Sequence, residues 1–182
     1  TMREELIQEL QQDGVKCHTS PQLPCCIRIQ AMESPLEDLP AYLEGRFYVQ
    51  NEAAMLASII LDPAPGKKVL DLCCGVGGKT THMAENMKNQ GLIKAYDSYA
   101  KKIAILKANC TRLGIKIVDA KTKDIMLLEE DEPAQRVMLD APCSGSGVLN
   151  RRSDARWNKD IIAIKQLTSL QLQFLQQAGS LV

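Results

Sequence analysis

Asp140-Ala141-Pro142-Cys143 brings a carboxylate and a thiol into one short segment, followed by Ser144-Gly145-Ser146-Gly147. A cysteine can attack an electron-poor carbon, and an acid beside it can offset charge that develops on the target. From the residues alone, Cys143 reads as the nucleophile and Asp140 as the acid. The plainer role for Cys143, a buried loop thiol, sits poorly with its Asp-Ala-Pro context. Val137-Met138-Leu139 upstream reads as a strand, so both groups belong at a strand's carboxyl end.

A second cluster runs Asp71-Leu72-Cys73-Cys74-Gly75-Val76-Gly77-Gly78-Lys79. Its glycines let the backbone turn sharply and lie against a ligand. The helix that starts here offers unpaired N–H groups at its first turn. A dinucleotide fingerprint needs Gly-x-Gly-x-x-Gly, and Gly-Val-Gly-Gly-Lys lacks the third glycine at that spacing. The spacing of a phosphate-binding P-loop is absent too. Asp97 closes the run from Leu92 and can accept bonds from ribose hydroxyls, or cap the helix that follows. Asp124, after a third strand, can meet an adenine amino group or act as a turn residue. Lys79 can counter a carboxylate or cover the helix face, and His82 reads as structural.

The elements that must position these groups alternate. The pattern predicts a helix from Asn51 to about Leu61, strand 68–72, helix 78–89, strand 92–97, helix 99–113, strand 115–121, strand 136–140 and helix 159–178. Strands alternating with helices at this spacing call for a parallel sheet with helices on both faces. Ahead of them, residues 1–45 predict a small α+β appendage: a helix from Thr1 to about Gly14, then strands 15–19 and 25–30. His18 there reads as an exposed strand residue, and Cys25-Cys26 as one exposed and one buried position. Glu129-Glu130-Asp131-Glu132-Pro133 reads as a solvated acidic turn.

These residues together resemble the RNA cytosine carbon-5 methyltransferases of the Sun/Fmu family, from about Arg46 to the C-terminus. Gly45 to Ala53 resembles the family's entry motif, Asp71 to His82 its cofactor loop, and Asp140 to Gly147 its Asp-Ala-Pro-Cys loop. Arg151, Asp154, Arg156 and Trp157 match the segment that follows. Val76 stands where the family usually has proline, Cys74 where it has alanine, and Ser153 where proline is common. The resemblance implies a Rossmann-like S-adenosylmethionine-dependent methyltransferase domain over 46–182, after the 1–45 appendage. It also implies that Asp71, Cys73, Cys74, Gly75, Gly77, Gly78, Lys79, Asp97 and Asp124 hold S-adenosylmethionine. Asp140 and Cys143 would be catalytic, and Arg151 and Arg156 would contact RNA, ribosomal before transfer RNA. Trp157 is expected to pack the last helix rather than face RNA. In the family the attacking cysteine lies in a later Thr-Cys motif, and the Pro-Cys cysteine, here Cys143, assists release of the methylated base. The chain shows no Thr-Cys pair. Alone, it is therefore expected to be inactive, incomplete at its sheet and able to self-associate through an unpaired edge. The alternative is a cofactor- or RNA-binding module without methyl transfer.

Composition bounds the rest. Lys plus Arg and Asp plus Glu number 22 each across 182 residues, so any basic footprint is local, at Arg151, Arg152 and Arg156. Seven cysteines, an odd number with no Cys-x-x-Cys spacing, argue against a disulfide framework and a zinc ribbon. Free thiols, with no signal peptide and no membrane-length apolar run, point to the cytoplasm, with neither membrane partner nor metal.

Overall fold

The computed structural model describes residues 2–145 and 160–182. α1 (Met2–Gln12) buries Leu6 and Leu10, a stripe four residues apart that faces one side of a helix. β1 (Lys16–Thr19) and β2 (Ile27–Ala31) pair antiparallel, with His18 opposite Arg28. Two short elements that the sequence pattern left unmarked follow: a 3-10 turn at Leu36–Asp38 and the single-turn α2 (Pro40–Leu43), with proline at its start. They bring Leu39 and Ala41 onto Leu6, Leu10, Val15 and Cys17, forming this unit's own core. His18 on β1 and Cys25 are exposed and Cys26 is buried, but both cysteines lie in the turn before β2, which begins at Ile27 rather than at the expected residue 25.

α3 (Glu52–Leu61) is capped by Asn51, whose side chain accepts the Ala53 amide. Four parallel strands follow: β3 (Lys68–Leu72), β4 (Leu92–Asp97), β5 (Val118–Thr122) and β6 (Arg136–Leu139), in the order β5-β4-β3-β6. α4 (Gly78–Asn86), α5 (Ala100–Arg112) and α6 (Ile161–Gly179) complete the layers. Strand side chains alternate in direction. Val69, Ile93 and Met138 therefore meet Met83 and Met87 of α4, and Ala95 meets Ile103 and Leu106 of α5. Leu70, Leu72 and Tyr96 meet Ala178 and Leu181 at the end of α6 on the opposite face. Both faces are covered, and the four parallel strands form the Rossmann-like layered sheet that the alternating pattern predicts. β6 forms one edge, paired only to β3 among the described residues. No helix among those residues is long and apolar enough to cross a membrane.

Boundaries shift where backbone geometry intervenes. α4 stops at Asn86 because Lys88 and Asn89 turn left-handed (φ 52° and 54°). β5 starts at Val118 because the Ile115 amide is still bonded to Cys110 O at 2.8 Å, closing α5. One reading is overturned. Glu130 is no solvated turn residue: its side chain is 3% exposed, with Lys68 Nζ at 2.8 Å and Lys94 Nζ at 2.7 Å. Tyr96 Oη donates to it as well, at 2.7 Å. Burial pushes this carboxyl up, but the bonds from Lys68, Lys94 and Tyr96 outweigh it and hold the group down at about 2.

Candidate active site

Parallel strands end on the same side, so the loops after β3, β4, β5 and β6 share one edge of the sheet. That edge carries Cys73 to Lys79, Asp97, Asp124, and Asp140 with Cys143. The turn after β3 needs left-handed backbone three times, at Cys73 (φ 64°), Gly75 (φ 59°) and Gly77 (φ 98°). A Cβ on Gly77 would lie 2.2 Å from Leu106 Cδ1, so only glycine seats the turn against α5. A Cβ on Gly75 would meet nothing within 4 Å, which leaves the loop backbone open for a ligand. Gly77 is the N-cap of α4 and has no capping side chain, so the first amides of that helix face the edge uncapped.

Asp97 anchors the loop. Its Oδ2 accepts the Gly75 amide at 3.0 Å and Lys102 Nζ at 3.2 Å, and its Oδ1 accepts the Tyr99 amide at 2.9 Å. The N-cap of α5 is Tyr99, so Asp97 steers the chain into that helix from outside its first turn. Cys74 donates its amide to Tyr96 O at 2.9 Å, while its side chain packs against Ile103 and Leu106. Cys74 thus offers the edge no thiol. Cys73 is half-buried, and burial, followed by Asp97, Asp71 and Asp140, pushes its thiol up to about 11. It stays protonated near neutral pH and is a poor nucleophile.

Asp71 is 1% exposed and lies beneath the loop rather than on its surface. Thr80 Oγ1, in the first turn of α4, donates to its Oδ2 at 2.5 Å, and Oδ1 has no hydrogen-bond partner among the described residues. Burial pushes the carboxyl up to about 7; Thr80 and Lys79 pull it back, and Asp140 and Asp97 add to the rise. Asp140 is the opposite case, 58% exposed and paired with Lys79 Nζ at 2.6 Å. Lys79 therefore counters a carboxylate, one of the two roles its sequence position allows. Cys143 is exposed on the same loop, which α6 braces through Gln171 Nε2 to Pro142 O at 2.8 Å. Asp124 is exposed and caps the 3-10 turn Ile125–Leu127 by accepting the Met126 amide. Arg151, Arg156 and Trp157 lie outside the described residues.

Sequence reasoning missed Thr80, Lys102, Leu106 and Asn109. Thr80 had a signal, being a hydroxyl one helical turn inside a glycine loop that follows a buried acid. A cleft of about 1240 Å³ lies elsewhere, between the N-terminal unit and α4, lined by Cys25, Arg28, Tyr48 and His82 among others. His82 is buried there with its Nε2 3.8 Å from Cys25 Sγ, and burial lowers its pKa.

Residues 58–182 match the model of the family described as 16S rRNA methyltransferase RsmB/F. The chain is 31% identical to the probable ribosomal RNA small subunit methyltransferase B of Bacillus subtilis, over 99% of its own length and 40% of that protein. It is 36% identical to the human 28S rRNA (cytosine(4447)-C(5))-methyltransferase over 79% of its length and 18% of that protein. The crystal structure of PH0851 superposes with a TM-score of 0.93 at 41% identity, covering 98% of this chain and 41% of that one. The chain thus spans at most about two fifths of each.

Proposed function

The chain belongs to the 16S rRNA methyltransferase RsmB/F family, and from that premise we propose that it builds the S-adenosylmethionine site for methylation of carbon 5 of cytosine in RNA. Ribosomal RNA is the first candidate substrate and transfer RNA the second. The observation that carries the reading is the convergence at one sheet edge of an open glycine turn, an uncapped helix start and the Lys79–Asp140 pair.

The residues fit this cofactor. Uncapped amides at the start of α4 suit its carboxylate, the carboxylate edge suits its cationic sulfonium, and Asp97 and Asp124 suit its ribose and adenine. Asp71, Cys74 and Gly77 would act through the loop's shape, and Cys73, Gly75, Gly78 and Lys79 would line it. When bound, S-adenosylmethionine supplies the methyl group.

Cytosine carbon 5 gains nucleophilicity only after a thiolate adds at carbon 6, a covalent route that replaces one hard step with two easier ones. Asp140 would share a proton with ring nitrogen 3 and offset the charge that addition puts on the ring. Lys79 holds that carboxylate in place until the base arrives. Cys143 would assist release of the methylated base. Neither Cys73, with its raised thiol, nor Cys74, with its buried one, is suited to the addition. The target base must leave its stack to reach this edge. The 1–45 unit and Arg151 with Arg156 would wall the RNA side. Seven free thiols suit a reducing cytoplasm, and self-association would run through the outer edge of β6.

Calorimetric titration with S-adenosylmethionine tests the site: saturable one-to-one binding is expected, and no heat would end the reading. Labelled cofactor with deproteinised small-subunit ribosomal RNA separates catalysis from the binding-module alternative, which retains cofactor without transferring label.

A further inference from the structure

α5 faces two places at once. Lys102, Leu106, Asn109 and Arg112 recur at helical spacing, so they share one broad side of the helix. The first three serve the cofactor edge. Lys102 holds Asp97, Leu106 fills the space under Gly77, and Asn109 Nδ2 donates to Val76 O at 3.1 Å. The last serves the N-terminal unit. Arg112 Nη1 donates to Tyr42 O at 2.7 Å and Phe47 O at 3.2 Å, and its guanidinium sits 3.9 Å from the Tyr42 ring centroid. Gly45 (φ +73°) closes over the same point, where a Cβ would lie 1.8 Å from Arg112 O. Tyr42 and Phe47 pack edge to face, with centroids 5.8 Å apart, and both pack on the unit's core.

We infer that α5 sets the position of the N-terminal unit relative to the cofactor loop, with Arg112 the positioning residue for the first and Asn109 for the second. A helix is stiff across these three turns, so a shift at either end must be taken up by the contacts rather than by the rod. Arginine is required at 112 because a planar guanidinium can stack on a ring while it donates to carbonyls, and an ammonium cannot hold both geometries. This inference rests on the reading of the 1–45 unit as part of the RNA-side wall.

The test is a crossed pair of variants. Arg112→Lys should weaken binding of deproteinised small-subunit ribosomal RNA about tenfold and leave S-adenosylmethionine affinity within about twofold. Asn109→Asp keeps the shape but turns an acceptor toward Val76 O; it should weaken the cofactor about fivefold and leave RNA within about twofold. General destabilisation would move both affinities in both variants, and that result overturns the inference, as does no change in either. Amide exchange on the ligand-free chain gives a second reading. Arg112→Lys should speed exchange over residues 42–47 and spare 74–78, and equal exchange in both segments would sink the assignment. If the unaltered chain binds no S-adenosylmethionine, the methyltransferase reading fails, while the exchange comparison still decides the role of Arg112.

Discussion

Two carboxylates in this protein carry side chains withdrawn from water, and they titrate in opposite directions. Glu130, 3% exposed by its side chain, receives Lys68, Lys94 and Tyr96 and is held down at about 2. Asp71, 1% exposed, receives one hydroxyl, has an orphaned oxygen, and is pushed up to about 7. Both pay the desolvation of a charge, and only Glu130 recovers it from opposite charges in contact. Glu130 bridges the lysines of two neighbouring strands on the α6 face, away from the loops, and its completeness is that of a structural clamp. Asp71 sits beneath the glycine turn proposed to hold the cofactor, and its unsatisfied oxygen marks it as a group placed there for something other than stability. The contrast separates what holds this domain together from what the domain is built to do.

The sharpest way to break the contrast is to remove Glu130. Glu130→Ala takes the counter-charge from two lysines, leaving Lys68 only the Glu132 carbonyl among the described residues, and should cost about 3–5 kcal/mol in denaturant unfolding. The pH dependence follows from the lowered pKa. The stability due to Glu130 is complete above its unfolded value near 4.5 and is lost as pH falls toward 2, about 3 kcal/mol in all. A variant within 1 kcal/mol of the parent would show that the clamp carries little.

Asp71 has the opposite sign. Its folded pKa lies above the unfolded value, so the folded state keeps a proton that the unfolded state has lost. Stability should therefore fall by about 2–4 kcal/mol as pH rises from 4 to 7. Asp71→Asn should flatten that slope and raise stability at pH 8, measured without cofactor. An unaltered slope would assign the pH dependence to another group.

At the loop itself, Asp97→Ala should weaken S-adenosylmethionine by about 1–3 kcal/mol, because it frees the Gly75 amide and Lys102 together. Titration calorimetry reads this directly, and unchanged affinity removes Asp97 from the site.

Much of this was legible in the chain. Strands 68–72 and 92–97 were read to the residue because an apolar run followed by a glycine turn or an acid marks a strand's carboxyl end. The same logic placed Asp97, Asp140 and Cys143 on one edge. Glu130 was misread because four acids in a row before proline look solvated, and its partners lie 62 and 36 residues away. A signal did exist. Lys68 and Lys94 each share a strand face with buried apolar residues, and the β3–β4 register makes them diagonal neighbours. Two lysines on an apolar face demand a counter-charge. The Arg112 contacts had no such signal, since carbonyl oxygens carry no sequence identity. α2, a single turn, was too short for any periodicity to show.

The smallest effect on stability is expected where the chemistry is concentrated. Lys79 and Asp140 are 2.6 Å apart, yet the Asp140 side chain is 58% exposed, so water competes for both charges. Such pairs contribute about 0–1 kcal/mol to folding. Lys79→Gln should therefore unfold within about 1 kcal/mol of the parent in urea, while S-adenosylmethionine affinity, read by titration calorimetry, should fall because the loop loses a lining cation and Asp140 the partner that orients it. The two readouts must separate for the contrast to stand. A loss above about 2 kcal/mol in stability would mean that this pair is a clamp like the one at Glu130. The sheet's loop edge would then be structural in the same sense as the face beneath it, and the orphaned oxygen of Asp71 would need another explanation.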